Sequence, residues 1–158
     1  MGIGLGYTCS KCGNRYVVLN EYGMLFPSYY EKLLKAIKKG KYGKEWKELS
    51  LSEEYVAVDG ISKLYVCKKC KHWQVEPGLS LYAPKDPDKI REKAAEYGGK
   101  IPYVTSLEDY RILKRYIHKC EKCGGVMHLA TPEEECSLPC PECGGDPDLL
   151  SICNILWD

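Results

Sequence analysis

Apolar residues along the chain switch between two periods, and the switches mark the elements. Tyr30, Leu33, Leu34 and Ile37 recur at helical spacing, with Lys32, Lys35, Lys38 and Lys39 on the other side. Ser28 with Glu31 reads as a capping box and Gly40 as the exit, which predicts a helix within "PSYYEKLLKAIKKG". A second, short helix is predicted over "YGKEWKELS", with Tyr42, Trp46 and Leu49 turned inward. A third covers "DPDKIREKAAEYGG", with Asp86 or Asp88 near its start, Gly98 at its end and a face of Ile90, Ala94 and Tyr97. "SLEDYRILKRYIHKC" opens with another cap signature, Ser106 and Asp109. Leu107, Tyr110 and Leu113 share a face there, and a change to strand is expected before Cys120. Strands are predicted at "RYVVLN", on both sides of the turn in "ISKLYVCKKCKHWQVE", and at "LSLYA" and "GVMHLA". "TPEEEC" suits one helical turn capped by Thr131, with Pro132 at its first position. "DLLSICNILWD" reads as a closing strand with Leu150, Ile152 and Leu156 on or near one face, and Cys153 as a small buried hydrophobe.

Ten cysteines change this picture. Eight of them form four C-x-x-C pairs: Cys9/Cys12, Cys67/Cys70, Cys120/Cys123 and Cys140/Cys143. Two thiolates at this spacing can face one ion, because the chain turns tightly between them. A second such turn completes the tetrahedron that zinc prefers. The start of the chain shows no basic stretch followed by an apolar one, so the expectation is a cytoplasmic protein whose cysteines hold metal rather than disulfides. The apolar runs are too short to span a bilayer, and no membrane association is expected.

Cys120, Cys123, Cys140 and Cys143 are separated by sixteen residues between the pairs, and "CEKCGG" and "CPECGG" both supply Gly where the chain leaves the turn. This stretch resembles a zinc ribbon, and it is also similar to the two metal knuckles of rubredoxin. The other two pairs also rhyme, "GYTCSKCG" against "LYVCKKCK", with fifty-four residues between them. They are therefore expected to share a second four-cysteine site, swapped pairing between the halves being the rival. Lys71 stands where a ribbon usually has Gly. Cys136 is expected to be a free thiol in a short helix, with ligand exchange as the other reading. The chain as a whole is similar to small bacterial zinc-ribbon proteins, a resemblance that carries no assigned task and no catalytic residue.

The expected fold class is α+β: small antiparallel sheets built on two zinc-ribbon, rubredoxin-like four-cysteine sites, with a helical insertion between the knuckles of the first. The expected organisation is an N-terminal metal unit at 1–84 with its helical insert at 27–50, a helical connector at 85–115 and a C-terminal zinc ribbon at 116–158. The implied cofactors are two Zn2+ ions, with iron as the alternative.

Charge narrows the partners. Lys plus Arg is 23 and Asp plus Glu 22. Eight thiolates and two divalent ions would take the loaded protein to about −3, which removes any global case for nucleic acid. Locally, residues 28–48 carry seven Lys against three Glu, and residues 133–148 carry six acids and no base. Two complete thiolate sets with no open position point to structural metal and a binding or adaptor module for a protein partner. A nucleic-acid contact through the Lys-rich helix at 29–39 is the alternative, followed by iron or thiol redox chemistry and metal transfer. The chain contains no H-E-x-x-H, phosphate loop or nucleophile elbow, and the three histidines show no spacing that favours catalysis, so the reading points away from an enzyme.

Overall fold

A computed structural model describes residues 2–19, 26–96, 107–146 and 150–157. The chain folds into two compact units, each assembled from separated segments. One comprises residues 1–24, 61–77 and 117–158; the other comprises residues 25–60 and 78–116. This division cuts across the boundaries expected from sequence at 84 and 115, because the metal knuckles come together in one unit while the helical stretches and the strands beside them make the other.

The first unit contains two three-stranded antiparallel sheets. One has β1 (Gly2–Cys9) at its centre, flanked by β2 (Arg15–Leu19) and β9 (Leu150–Trp157). The other has β4 (Ser62–Cys67) at its centre, flanked by β5 (Trp73–Pro77) and β8 (Met127–Leu129). The two have the same topology: a hairpin with a cysteine knuckle at its tip, and a third strand that follows a second knuckle. Registers agree closely. Tyr7 faces Tyr16 and Ile152, while Tyr65 faces Gln74 and Leu129.

Trp73 is the centre of this unit's core. Its ring lies 5.5 Å from Tyr7 and 5.0 Å from Tyr16, and its indole N–H donates to the Pro139 carbonyl at 2.6 Å. A buried Trp with its N–H satisfied contributes both apolar area and orientation. Val18, Leu64, Val66 and Leu138 complete the cluster.

The second unit places α1 (Phe26–Lys38) and α2 (Lys44–Ser50) beside a sheet of β3 (Ala57–Val58), β6 (Leu81–Pro84) and β7 (Tyr110–Lys114), and Ile90 of α3 (Pro87–Glu96) packs with Ala57 and Tyr110 of that sheet. Tyr30, Leu33, Leu34 and Ile37 are buried, as the helical spacing predicts. Gly40, at φ 86°, ends α1: its N–H reaches the Ile37 carbonyl and the Lys41 N–H reaches Ala36. That double bond satisfies the last carbonyls of the helix. Trp46 is buried and donates to the Leu79 carbonyl.

Four local expectations change. Helix α1 begins at Phe26, so Ser28 lies inside its first turn rather than capping it; Pro27 is well placed there because the first helical N–H groups need no partner. The cap pattern at 106–113 yields only a 3-10 turn at Leu107–Asp109, and β7 follows at once, pairing with β6. Ser106 lies outside the described residues, as do Tyr97 and Gly98. The closing strand β9 pairs with β1 rather than with β8. Cys153 is exposed on it, since its neighbour across the strand is Gly6, which offers no side chain to cover it.

No helix among the described residues is long and apolar enough to cross a membrane.

Candidate metal centres

The four knuckles share one backbone design. The first cysteine's N–H donates to the carbonyl five residues on: Cys9 to Asn14, Cys67 to His72, Cys120 to Gly125 and Cys140 to Gly145, all at 2.8–2.9 Å. The N–H four residues on returns to that cysteine's carbonyl: Gly13, Lys71, Gly124 and Gly144 at 2.8–3.1 Å. That fourth residue is left-handed every time, with φ of 75°, 59°, 67° and 62°. Three glycines adopt this without a Cβ penalty, and Lys71 alone bears one.

Strand pairing decides which knuckles meet. Cys9 ends β1, which pairs with β9, so the knuckle leading into β9 is delivered beside it. Cys67 ends β4, which pairs with β8, so the knuckle before β8 is delivered there. The result is two clusters: Cys9, Cys12, Cys140 and Cys143 in one, Cys67, Cys70, Cys120 and Cys123 in the other. All eight cysteines expected as ligands fall in these two clusters, but the expected partnership is corrected. The rhyming knuckles are not partners in one site. They are equivalent positions in two similar ribbons, one nested inside the other along the chain.

Within each cluster all four Sγ atoms lie within 4.8 Å of one another. In the outer centre Cys9 is 3.8 Å from Cys143, and Cys12 is 3.6 Å from Cys140. In the inner centre Cys67 is 3.5 Å from Cys123, and Cys70 is 3.6 Å from Cys120. A tetrahedral zinc–thiolate site with bonds of about 2.3 Å has edges of about 3.8 Å. Disulfides would need about 2 Å. Cys9, Cys67, Cys120 and Cys140 are buried, while Cys12 and Cys70 are exposed.

The thiols of each cluster differ in how readily they ionise. The backbone N–H of Cys70 leads in bringing Cys67 down to about 6, helped against burial by the Lys69 N–H and the adjoining thiols. Burial pushes Cys140 up, but the N–H groups of Cys143 and Glu142, the Tyr16 hydroxyl and the Cys12 thiol bring it to about 6. The backbone at Asn14 pulls Cys12 down, yet burial and its three neighbouring thiols carry it up to about 12. Cys123 is also pushed up to about 12, the pull of the Gly125 backbone being overcome by Cys70, Cys67, burial and Cys120. One thiol in each cluster is lowered while another is raised beside it, the pattern of close thiols that compete for ionisation, and a set that a cation would suit.

Small residues fit the sulfurs. A Cβ on Gly125 would come within 3.2 Å of both Cys67 Sγ and Cys123 Sγ. The two glycines of "CEKCGG" therefore have different tasks: Gly124 turns the chain, and Gly125 makes room for the inner centre.

None of the three histidines joins a cluster. His72 Nε2 meets Glu121 at 3.1 Å, His118 Nδ1 meets Glu76 at 2.6 Å, and His128 Nε2 meets Glu134 at 2.8 Å. The His118 ring also stacks on Tyr65 at 3.7 Å, beside the inner centre. Sequence reasoning left these histidine–carboxylate pairs unseen, since each partner comes from another segment or the adjoining turn. Cys136 is exposed at the C-terminal cap of α4 (Pro132–Glu135) and belongs to neither cluster. The predicted cap of that turn is present: Thr131 accepts from the Glu134 N–H, and the Glu134 side chain accepts from the Thr131 N–H. Compared with protein families, with curated proteins and with solved structures, the chain finds no match in any of the three.

Proposed function

We propose that both centres hold structural Zn2+ and that the protein is a zinc-scaffolded binding module for a protein partner. The observation that carries the metal reading is four Sγ atoms within 4.8 Å of one another in each cluster, with two edges of each at 3.5–3.8 Å and a cysteine at every vertex. A site with four thiolates leaves no position for substrate or water, so the metal supplies folding free energy rather than chemistry. The two ribbons bury a shared core around Trp73 that is small for the number of strands it supports, and cross-linking by metal suits such a core.

A protein partner is supported by the surface of this unit. Val17, Leu129, Ile152 and Leu156 are exposed apolar residues on its strands. A cleft of about 320 Å³ is lined by Tyr16, Gln74, Glu76, Glu121 and Glu142 among others, a polar and acidic wall suited to a basic side chain.

Elemental analysis of protein purified without added metal tests the reading. Two zinc per chain, with at most two thiols reactive before chelation, is the expected result. A coloured protein with iron and a reversible potential contradicts it and brings electron transfer forward, because zinc has no redox chemistry of its own.

A further inference from the structure

The helical pair of the second unit carries cations that its own acids leave uncompensated. Seven lysines fall between residues 28 and 48. Lys44 is bridged to Glu48, and Glu45 is taken by Lys114 from β7. Lys32, Lys35, Lys38, Lys39, Lys41 and Lys47 form no ion pair with any described residue. Glu31, half-buried on the flank of α1, has an interaction of its own.

The geometry of these charges is linear. Lys32 and Lys35 are exposed on the side of α1 opposite buried Tyr30, Leu33 and Ile37, and exposed Lys39 continues the row in the turn that follows the helix. At the helical rise they span about 10 Å. Tyr29 stands almost one turn before Lys32 and is 39% exposed. No arginine occurs between residues 16 and 90, so the face offers point charges without the planar fork that reads guanine or grips carboxylates.

We propose that this face binds single-stranded nucleic acid without reading its sequence, the lysines following the phosphates and Tyr29 stacking a base. An acidic protein segment would match the charge equally, but it has no use for the half-exposed ring of Tyr29, which rests against Phe26 at 6.1 Å and flanks the row beside Lys32. A row of lysines with a stacking platform is the arrangement used for single strands. The net charge of the loaded protein does not oppose this, since acids of the hairpin are already engaged and the acidic run at 133–148 belongs to the other unit. The proposal is independent of the metal reading.

The test is fluorescence anisotropy of labelled oligo(dT) with the full zinc-loaded chain, titrated with salt. Three phosphate contacts predict a slope of log K against log salt of about −2. Replacing the three lysines together, either by Gln or by Glu, is expected to weaken binding about tenfold or more and flatten the slope. Tyr29→Ala is expected to weaken binding about fivefold or more with the slope unchanged. Zinc content and circular dichroism identify any variant that has simply failed to fold. The proposal is overturned by no binding at low salt, or by binding that the triple Gln variant leaves intact. It is also overturned if polyglutamate binds as tightly as oligo(dT) and Tyr29→Ala changes neither.

Discussion

Cys9 reaches Cys143 across 134 residues, whereas Cys67 reaches Cys123 across 56. The knuckles are otherwise alike, with the same paired backbone bonds and the same left-handed fourth residue. Chain separation therefore matters little to where a metal centre forms. Chain-closure theory puts the difference between the two spans at roughly 0.8 kcal/mol, against apparent binding free energies of about 10–16 kcal/mol for structural zinc in small domains. What decides is the sheet: each second knuckle goes where the strand after it finds its partner. The longer span also shows how a ribbon can enclose a second ribbon and another compact unit between its own two halves.

The largest expected effects come from removing a ligand. Cys140→Ser should release one metal and leave the inner centre loaded; Cys67→Ser should do the reverse. Mass spectrometry under native conditions reads the count directly. Acid probes both centres together. Cys67 and Cys140 have folded values near 6, below the ordinary 9.0 of a thiol. The favourable thiolate contribution is thus full above pH 9.0 and is lost as pH falls to about 6. Protons compete with the ion for every thiolate, so chelator-driven metal release should rise as pH falls, and in both centres alike. Release from one centre alone would break the equivalence argued here.

Trp73→Ala should come next, at about 3–5 kcal/mol, because Trp73 sits in β5 of the inner ribbon and touches Tyr7, Tyr16 and Pro139 of the outer one. Denaturant unfolding measures the loss. The knuckle exits give a smaller, signed contrast. Gly13→Ala, Gly124→Ala and Gly144→Ala should each cost about 1–2 kcal/mol, since a Cβ is unfavourable at positive φ. Lys71→Gly should gain up to about 1 kcal/mol by the same argument, offset in part by the freer unfolded chain. Equal destabilisation by all four substitutions would show that Lys71 has a contact that outweighs its strain. Cys136→Ser should change neither metal content nor stability, and a lost equivalent of metal in that variant would place it among the ligands.

The ligands were legible because C-x-x-C is a local signal: two thiolates, one turn, one ion. Their partnership was not, because it depends on a strand whose sequence signature is diluted by glycine. Ile3, Leu5 and Tyr7 alternate, but the residues between them are glycines, which are depleted in strands, and so the pattern announces β1 only weakly; yet β1 is the central strand that recruits β9. Similar flanking sequence proved a guide to equivalence, Tyr7 with Tyr65 and Gly124 with Gly144, rather than to contact. At 107–114 the helical pattern lost to pairing, since Tyr110 and Ile112 complete a sheet with Pro84 and Tyr82. By contrast, α1 was readable because its stripe and its C-terminal glycine are both local. The oddity of Lys71 was visible in sequence, and its meaning became clear only from its φ of 59°.

Nested pairing is tested most directly by the metal content of two double variants. Cys12→Ser with Cys143→Ser removes two ligands of the same centre, and the account predicts one metal per chain. Cys12→Ser with Cys70→Ser removes one ligand from each centre, and the account predicts loss of both. The opposite pattern, none in the first and one in the second, would contradict it and restore the pairing of neighbours along the chain.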